Sequence, residues 1–293
     1  MILYSTALNT YSKHFLIMHL RKNKWFWDNK FFFEHLSKIH YLKLAKSLLI
    51  RSHKIVFVQM EGVDHHWYYN RPTYLADIVF GYRGGPKNIY WNYLFDDYAS
   101  GRTFNPAFKT KSTTDLIPKV CFISSNTNKI RSIKNNYHDL YKDLDIYGEF
   151  HKPIDKERNL NPARCEASFS TTERYMASLC IENNDDEGYA QGSALWSLSV
   201  MTPPILKASP VMKNFFRPEF YINFFEYINM TNQQRLSAIK KVQERLLLGD
   251  NYLTNLTQDY INFFSESFAG DEEPDIKKIS LQSQSYRKKF IKI

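Results

Sequence analysis

The chain has 293 residues, 43% of them hydrophobic and 16% aromatic, and a formal net charge of +9. That length and apolar content suit one large domain or two medium ones, and only 10 glycines and 11 prolines exclude a low-complexity chain. The basic surplus fits nucleic acid, an anionic membrane or an anionic substrate such as a sugar nucleotide, but the positive residues form no recognised nucleic-acid-binding motif.

The odd cysteine count, Cys121, Cys165 and Cys180, argues for free thiols over a disulfide framework. No stretch approaches the roughly 20 apolar residues of a membrane span. Residues 1–20 lack the uninterrupted apolar core of a signal peptide. The expectation is a soluble chain, with peripheral membrane contact as an open alternative.

Taken in chain order, residues 31–50 carry Leu36, Ile39, Leu42, Ala45 and Leu49 at helical spacing and predict an amphipathic helix. The short β-branched runs at 54–60, 76–82 and 119–125 predict buried strands. Gly84-Gly85-Pro86 ends the second of them. Residues 127–144 place Ile130, Ile133, Tyr137 and Leu140 on one face and predict a helix. A strand at 175–182 then leads through an acidic loop, Asp185-Asp186-Glu187, into a helix at 190–200. Short strands follow at 203–206 and 219–224. The helix at 231–249 has the clearest ends: Thr231 or Asn232 caps it and Gly249 stops it.

This alternation of strand and helix predicts an α/β fold with largely parallel sheets. The loop at 100–115 has no periodicity, which places a boundary between an N-terminal domain, 1–112, and a C-terminal domain, 113–293. Two α/β halves facing a cleft would set strand ends from both sides around a ligand.

Several residues are candidates for chemistry. Glu61 follows an apolar strand, where burial would raise a carboxylate toward service as a general base; position alone favours a solvated turn residue. Asp64-His65-His66 suggests a metal, but neighbours on an extended segment point to opposite faces, and a solvated loop is the better reading. Asn126 and Arg131 stand where a strand gives way to a helix, a place suited to a phosphate. The solvated helix face is the simpler account of Arg131. The acids at 185–187 are explained by the helix that follows, whose dipole they favour. The basic tail, Lys277 to Lys292, is interleaved with Ile276, Ile279, Leu281, Phe290 and Ile291. It fits an anionic membrane surface or a solvated, frayed end equally well.

The order of these segments resembles the α1,3-fucosyltransferases, glycosyltransferase family ten. Residues 174–223 carry the resemblance, with Tyr175, Glu182, Asn183, Tyr189, Pro204, Pro218, Ile222 and Asn223 in register with the family's donor-binding motif. Residues 122–131 are similar to its Ser-Asn…Arg element, with Arg131 as the arginine, and 145–150 to the Asp-x-Tyr-Gly that follows. Residues 57–83 resemble its acceptor-side Met-Glu piece, with Glu61 as that glutamate.

The resemblance implies two Rossmann-like domains of the GT-B type and a donor-binding role for residues 113–293. It implies GDP-fucose as donor, an acceptor glycan, inversion at the fucose carbon, and no cofactor or essential metal. Glu61 would take the acceptor proton. Arg131 and Asn126 would meet the donor phosphates, Glu182 and Asn183 would support the pocket, and Tyr189 would line it. Compartment follows source: cytoplasmic or peripheral on a membrane, or Golgi for an animal member with its anchor.

The chain also departs from that motif. Gln191-Gly192-Ser193 stand where the family has Thr-Glu-Lys, so Gly192 replaces a ribose contact and Ser193 a diphosphate contact. A charge-assisted hydrogen bond contributes roughly 1.5–3 kcal/mol. Losing both would weaken donor binding by about two to four powers of ten. Small residues there let helix amides approach a phosphate, and Lys207 offers a replacement cation. The alternative reading is a catalytically impaired relative acting as a glycan-binding or structural module.

Overall fold

The computed structural model describes residues 78–85, 88–92, 94–95, 115–124, 127–147, 171–181, 187–190, 192–269 and 272–292, and the backbone of 31–33 and 54–59. In chain order the described strands are β1 (Phe31–Phe33), β2 (Lys54–Gln59), β3 (Ile78–Gly81), β4 (Asn88–Tyr90), β5 (Ile117–Ile123), β6 (Leu144–Tyr147), β7 (Tyr175–Ile181), β8 (Pro204–Lys207) and β9 (Ile222–Asn223). The helices are α1 (Thr127–Asn136), α2 (His138–Asp143), α3 (Ser193–Ser199), α4 (Pro210–Phe215), α5 (Phe224–Tyr227), α6 (Asn232–Leu247), α7 (Asn255–Ser267) and α8 (Ile276–Ile291).

The chain divides into two compact units. One holds residues 1–100, 184–190 and 255–293, and the other 101–183 and 191–254. Two units were expected. The expected single boundary at 112/113 differs from this division, because the chain returns to the first unit twice. Turn residues marked only the first crossing.

The first unit is built on a parallel sheet of order β1-β2-β3-β4. Phe31–Phe33 are strand, not the start of the expected helix at 31–50; the rest of that helix lies outside the described residues. β3 is buried along its whole length, as a parallel strand covered on both faces must be. At the edge strand β4, side chains of α8 meet the open main-chain groups. Ser280 Oγ and Gln284 Nε2 donate to the Asn88 carbonyl at 2.8 and 2.7 Å. The Tyr90 amide donates to Ser283 Oγ at 2.6 Å. Covering an edge this way removes a template for further strand pairing. An aromatic cluster fills the space behind, with Phe95 at 5.0 Å from Tyr260 and 5.4 Å from Phe290 between ring centres.

The basic tail is therefore ordered as α8, not frayed. Its buried residues, Ile279, Ser283 and Phe290, recur at helical spacing and face the sheet, while Lys277, Lys278, Lys288 and Lys289 stay exposed.

The second unit has a parallel sheet of order β6-β5-β7-β8-β9. From β5 the chain moves outward to β6, then returns to pair β7 on the other side of β5. The predicted helix at 127–144 is two helices. Tyr137 leaves helical geometry (φ −139, ψ 55), and its ring packs edge-on against Phe224 at 5.0 Å. The last residue of that run already belongs to β6. α6 begins with a reciprocal capping box between Thr231 and Gln234 and ends before Gly249 at φ +76, as its sequence required.

Candidate functional site

In a parallel α/β sheet the crevice forms where strand order reverses, at the carboxyl ends of the two strands involved. In the second unit that place lies between β5 and β7. The central strand β7 supplies Ala177, Leu179 and Cys180 to the core. Its last residue, Ile181, lies beside Lys207 at the end of β8.

α3 packs on β7 and β8. Small residues allow this close approach: Ala194 and Ser197 are buried with Leu195 and Leu198. Beneath it, the Ser178 and Ser197 hydroxyls lie 2.6 Å apart, and Ser197 Oγ donates to the Thr202 carbonyl at 2.6 Å. The buried Ser178 hydroxyl also lies 3.4 Å from the Cys180 thiol. Burial pushes that thiol up to about 11, against the opposing pull of the Ser178 and Ser193 hydroxyls and the Lys129 charge.

Lys129 was not picked out from the sequence. It sits in the first turn of α1, half-buried, and its ammonium donates to the Ile181 carbonyl. It thus reaches from the helix after β5 to the end of β7, across the reversal point. Helical spacing held the signal. Lys129 is four residues before the buried Ile133, on the sheet-facing side. Arg131 is four before the exposed Asn135.

Of the residues expected at the donor site, Arg131 is exposed. Lys207 is exposed at the end of β8. Gly192 is buried as the residue before α3, in helical conformation, and caps nothing through a side chain. The Ser193 hydroxyl is buried beside the Cys180 thiol, without a partner in hydrogen-bond geometry. Tyr189 belongs to the first unit, fully buried with its ring edge-on to Tyr82 at 5.3 Å. Glu61, Asn126, Glu182, Asn183 and Gln191 lie outside the described residues, as do Asp64, His65 and His66 and the acids Asp185 and Asp186.

The fold resembles that of a solved α1,3-fucosyltransferase. The match covers 99% of this chain and 89% of that one, with a TM-score of 0.55 and 13% identity. At that identity the likeness speaks for the fold, which is α/β and similar to a GT-B glycosyltransferase. Two further α1,3-fucosyltransferase structures, one with GDP-fucose and one with GDP, match 82% of the chain at 14% identity with TM-scores of 0.45. No family model matches the chain, and no curated protein matches it in sequence.

Chemically, Lys129 is held at the end of β7 by the Ile181 carbonyl, and the exposed Lys207 ends β8, the next strand. Such a set suits an anion better than a metal ion. Among the described residues no cluster of three His, Cys, Asp or Glu side chains could hold a metal, and no described helix is long and apolar enough to cross a membrane.

Proposed function

We propose that the chain is a glycosyltransferase-type protein that binds GDP-fucose in its second unit and transfers fucose to an acceptor glycan. The observation that carries this reading is the cationic, strand-end crevice between β5 and β7, set in a fold similar to an α1,3-fucosyltransferase. In the reaction, an acceptor hydroxyl oxygen forms the bond to the fucose anomeric carbon as the bond from that carbon to the diphosphate breaks. The anomeric centre inverts. Glu61 takes the hydroxyl proton, and cations at the crevice neutralise the departing GDP. Arg131, Asn126, Glu182, Asn183 and Gln191 are proposed around the donor on the motif resemblance. Lys207 joins them as an exposed cation at the strand end. The scheme needs no metal.

A second reading has its own support. Gly192 brings no side chain to the crevice, the Ser193 hydroxyl turns inward toward Cys180, and Tyr189 is spent on packing against Tyr82. A chain so altered could keep the fold as a glycan-binding module.

Calorimetric titration with GDP and GDP-fucose, with and without Mn²⁺, separates the two. Micromolar binding without metal supports the transferase reading. No binding at millimolar donor removes it and leaves the binding module.

A further inference from the structure

We infer that the outward face of α8 is a docking surface for an anionic lipid bilayer. The inference concerns the first unit alone and does not rest on the nucleotide-sugar reading.

α8 turns one side to the sheet and the opposite side to water. Ile279, Ser283 and Phe290 are buried on the side that meets β4. Lys277, Lys278, Leu281, Lys288 and Lys289 are exposed on the other, with the exposed Lys292 just past the last turn. At about 100° per residue the five lysines fall within an arc of about 120°, and Leu281 lies inside that arc. The row runs roughly 22 Å along the helix axis. Leu281 is 68% exposed, as a large apolar side chain set among charges.

The charge on this face is not balanced as it is on a solvated helix. α6 shows the ordinary pattern, in which Lys240 is followed one turn later by Glu244. α8 contains no Asp or Glu. The exposed acids Glu272, Glu273 and Asp275 precede its first turn, and Asp275 is engaged as the cap, accepting from the Lys278 amide at 3.0 Å. On the neighbouring α7, Asp259 and Glu266 share the side of Phe263, whose ring stacks on Tyr286 at 5.4 Å. Tyr286 projects about 140° from Leu281, so those acids border one flank and leave the lysine face positive.

The chemistry of the partner follows from the mixture. A row of ammonium groups attracts any polyanion. An exposed leucine in the middle of the row gains nothing from a sugar-phosphate backbone. At a bilayer it enters the boundary between headgroups and acyl chains, while the lysines around it meet anionic headgroups.

The test is flotation of the full chain with vesicles of phosphatidylcholine alone and of equal parts phosphatidylcholine and phosphatidylglycerol. Binding should appear with the anionic vesicles only and weaken as salt rises. Lys288→Gln with Lys289→Gln should weaken it roughly twenty- to thirtyfold, at about fivefold per lysine. Leu281→Gln should weaken it severalfold with no change of charge. Lys240→Gln with Lys241→Gln removes the same charge from α6 and should leave binding nearly as it was.

A wild-type chain that does not float with anionic vesicles overturns the inference. An equal loss in the α6 pair overturns it as well, because the attraction would then follow net charge and not this face. Unchanged affinity in Leu281→Gln, with tighter binding to a random DNA duplex than to the vesicles, assigns the face to nucleic acid and overturns it too.

Discussion

Arg287 of α8 donates its Nε proton to the Tyr82 carbonyl oxygen at 2.7 Å. The same guanidinium reaches Glu187, through Nη2 to its carbonyl at 3.3 Å and to its carboxylate at 3.6 Å. One side chain from the end of the chain thus ties together the turn after β3 and the short segment 187–190 in the first unit. The Arg287 side chain is only 12% exposed while that of Glu187 is 72% exposed. The main-chain bonds therefore matter more than the ion pair, which water screens.

Arg287→Ala should destabilise the protein by about 1.5–3 kcal/mol, because it leaves the part-buried Tyr82 carbonyl without its charged donor. Glu187→Ala should cost no more than about 1 kcal/mol. Urea midpoints for the two variants check this. Equal costs would mean that the exposed carboxylate, not the carbonyl, carries the interaction.

Gly188 makes the same junction sensitive to a single methyl group. It has φ +87, and an added Cβ would stand 2.7 Å from the Tyr82 carbonyl oxygen. That oxygen belongs to the backbone and cannot swing away. Gly188→Ala should therefore cost roughly 1–3 kcal/mol from backbone strain alone, before any clash is counted. Gly84 is the control. A Cβ there meets Gln284 at 3.4 Å, an ordinary contact, and Gly84→Ala should be near neutral. Urea denaturation of both variants decides it, and a neutral Gly188→Ala would contradict the local backbone.

How far the sequence revealed this architecture depends on what each segment must bury. β7 and β3 were legible because a strand covered on both faces has to be continuously apolar. α6 was legible because Thr231, Gln234 and Gly249 mark its ends chemically. The break at Tyr137 was not: its ring packs against Phe224, far along the chain, and no local glycine or proline marks it. α7 and α8 were missed as packed helices. Their buried faces include Ser280, Ser283 and Thr257, polar groups that the apolar pattern does not count. They pack because β4 offers main-chain partners to α8. At the candidate site, the motif led to Arg131. Lys129 follows only when the periodicity of α1 is set beside the β5–β7 reversal.

Glu61 carries the chemical prediction. If fucose is transferred, Glu61→Gln removes the base that takes the acceptor proton while nearly preserving size. Turnover should fall by about two to four powers of ten, and GDP affinity should not change, because the base touches acceptor and not nucleotide. Single-turnover kinetics beside a GDP titration checks both halves. Wild-type turnover in the variant would remove Glu61 from the mechanism. Lost GDP affinity would make it part of the nucleotide site.

The buried thiol of Cys180 predicts a pH dependence of stability. Burial is the largest cause of its rise, and the thiol reaches about 11 from an ordinary value of 9.0. Between those values the unfolded chain has released the proton and the folded chain still holds it. The unfolded state then binds fewer protons, so stability falls as pH rises. The thiol's contribution is whole below pH 9 and is lost by about pH 11, on the order of 3 kcal/mol. Burial also pushes the Tyr260 and Tyr175 hydroxyls up, and Tyr175 has Tyr147 and Asp145 as further causes. Those groups add losses of the same sign above the ordinary tyrosine range. Cys180→Ala separates the contributions, since it should flatten the stability profile between pH 9 and 10 while leaving the steeper fall beyond. Urea midpoints at pH 7.5, 9 and 10 give the slope. A wild-type profile as flat as that of Cys180→Ala would mean that the thiol ionises in the folded chain as it does in water, and that β7 is not sealed at this point.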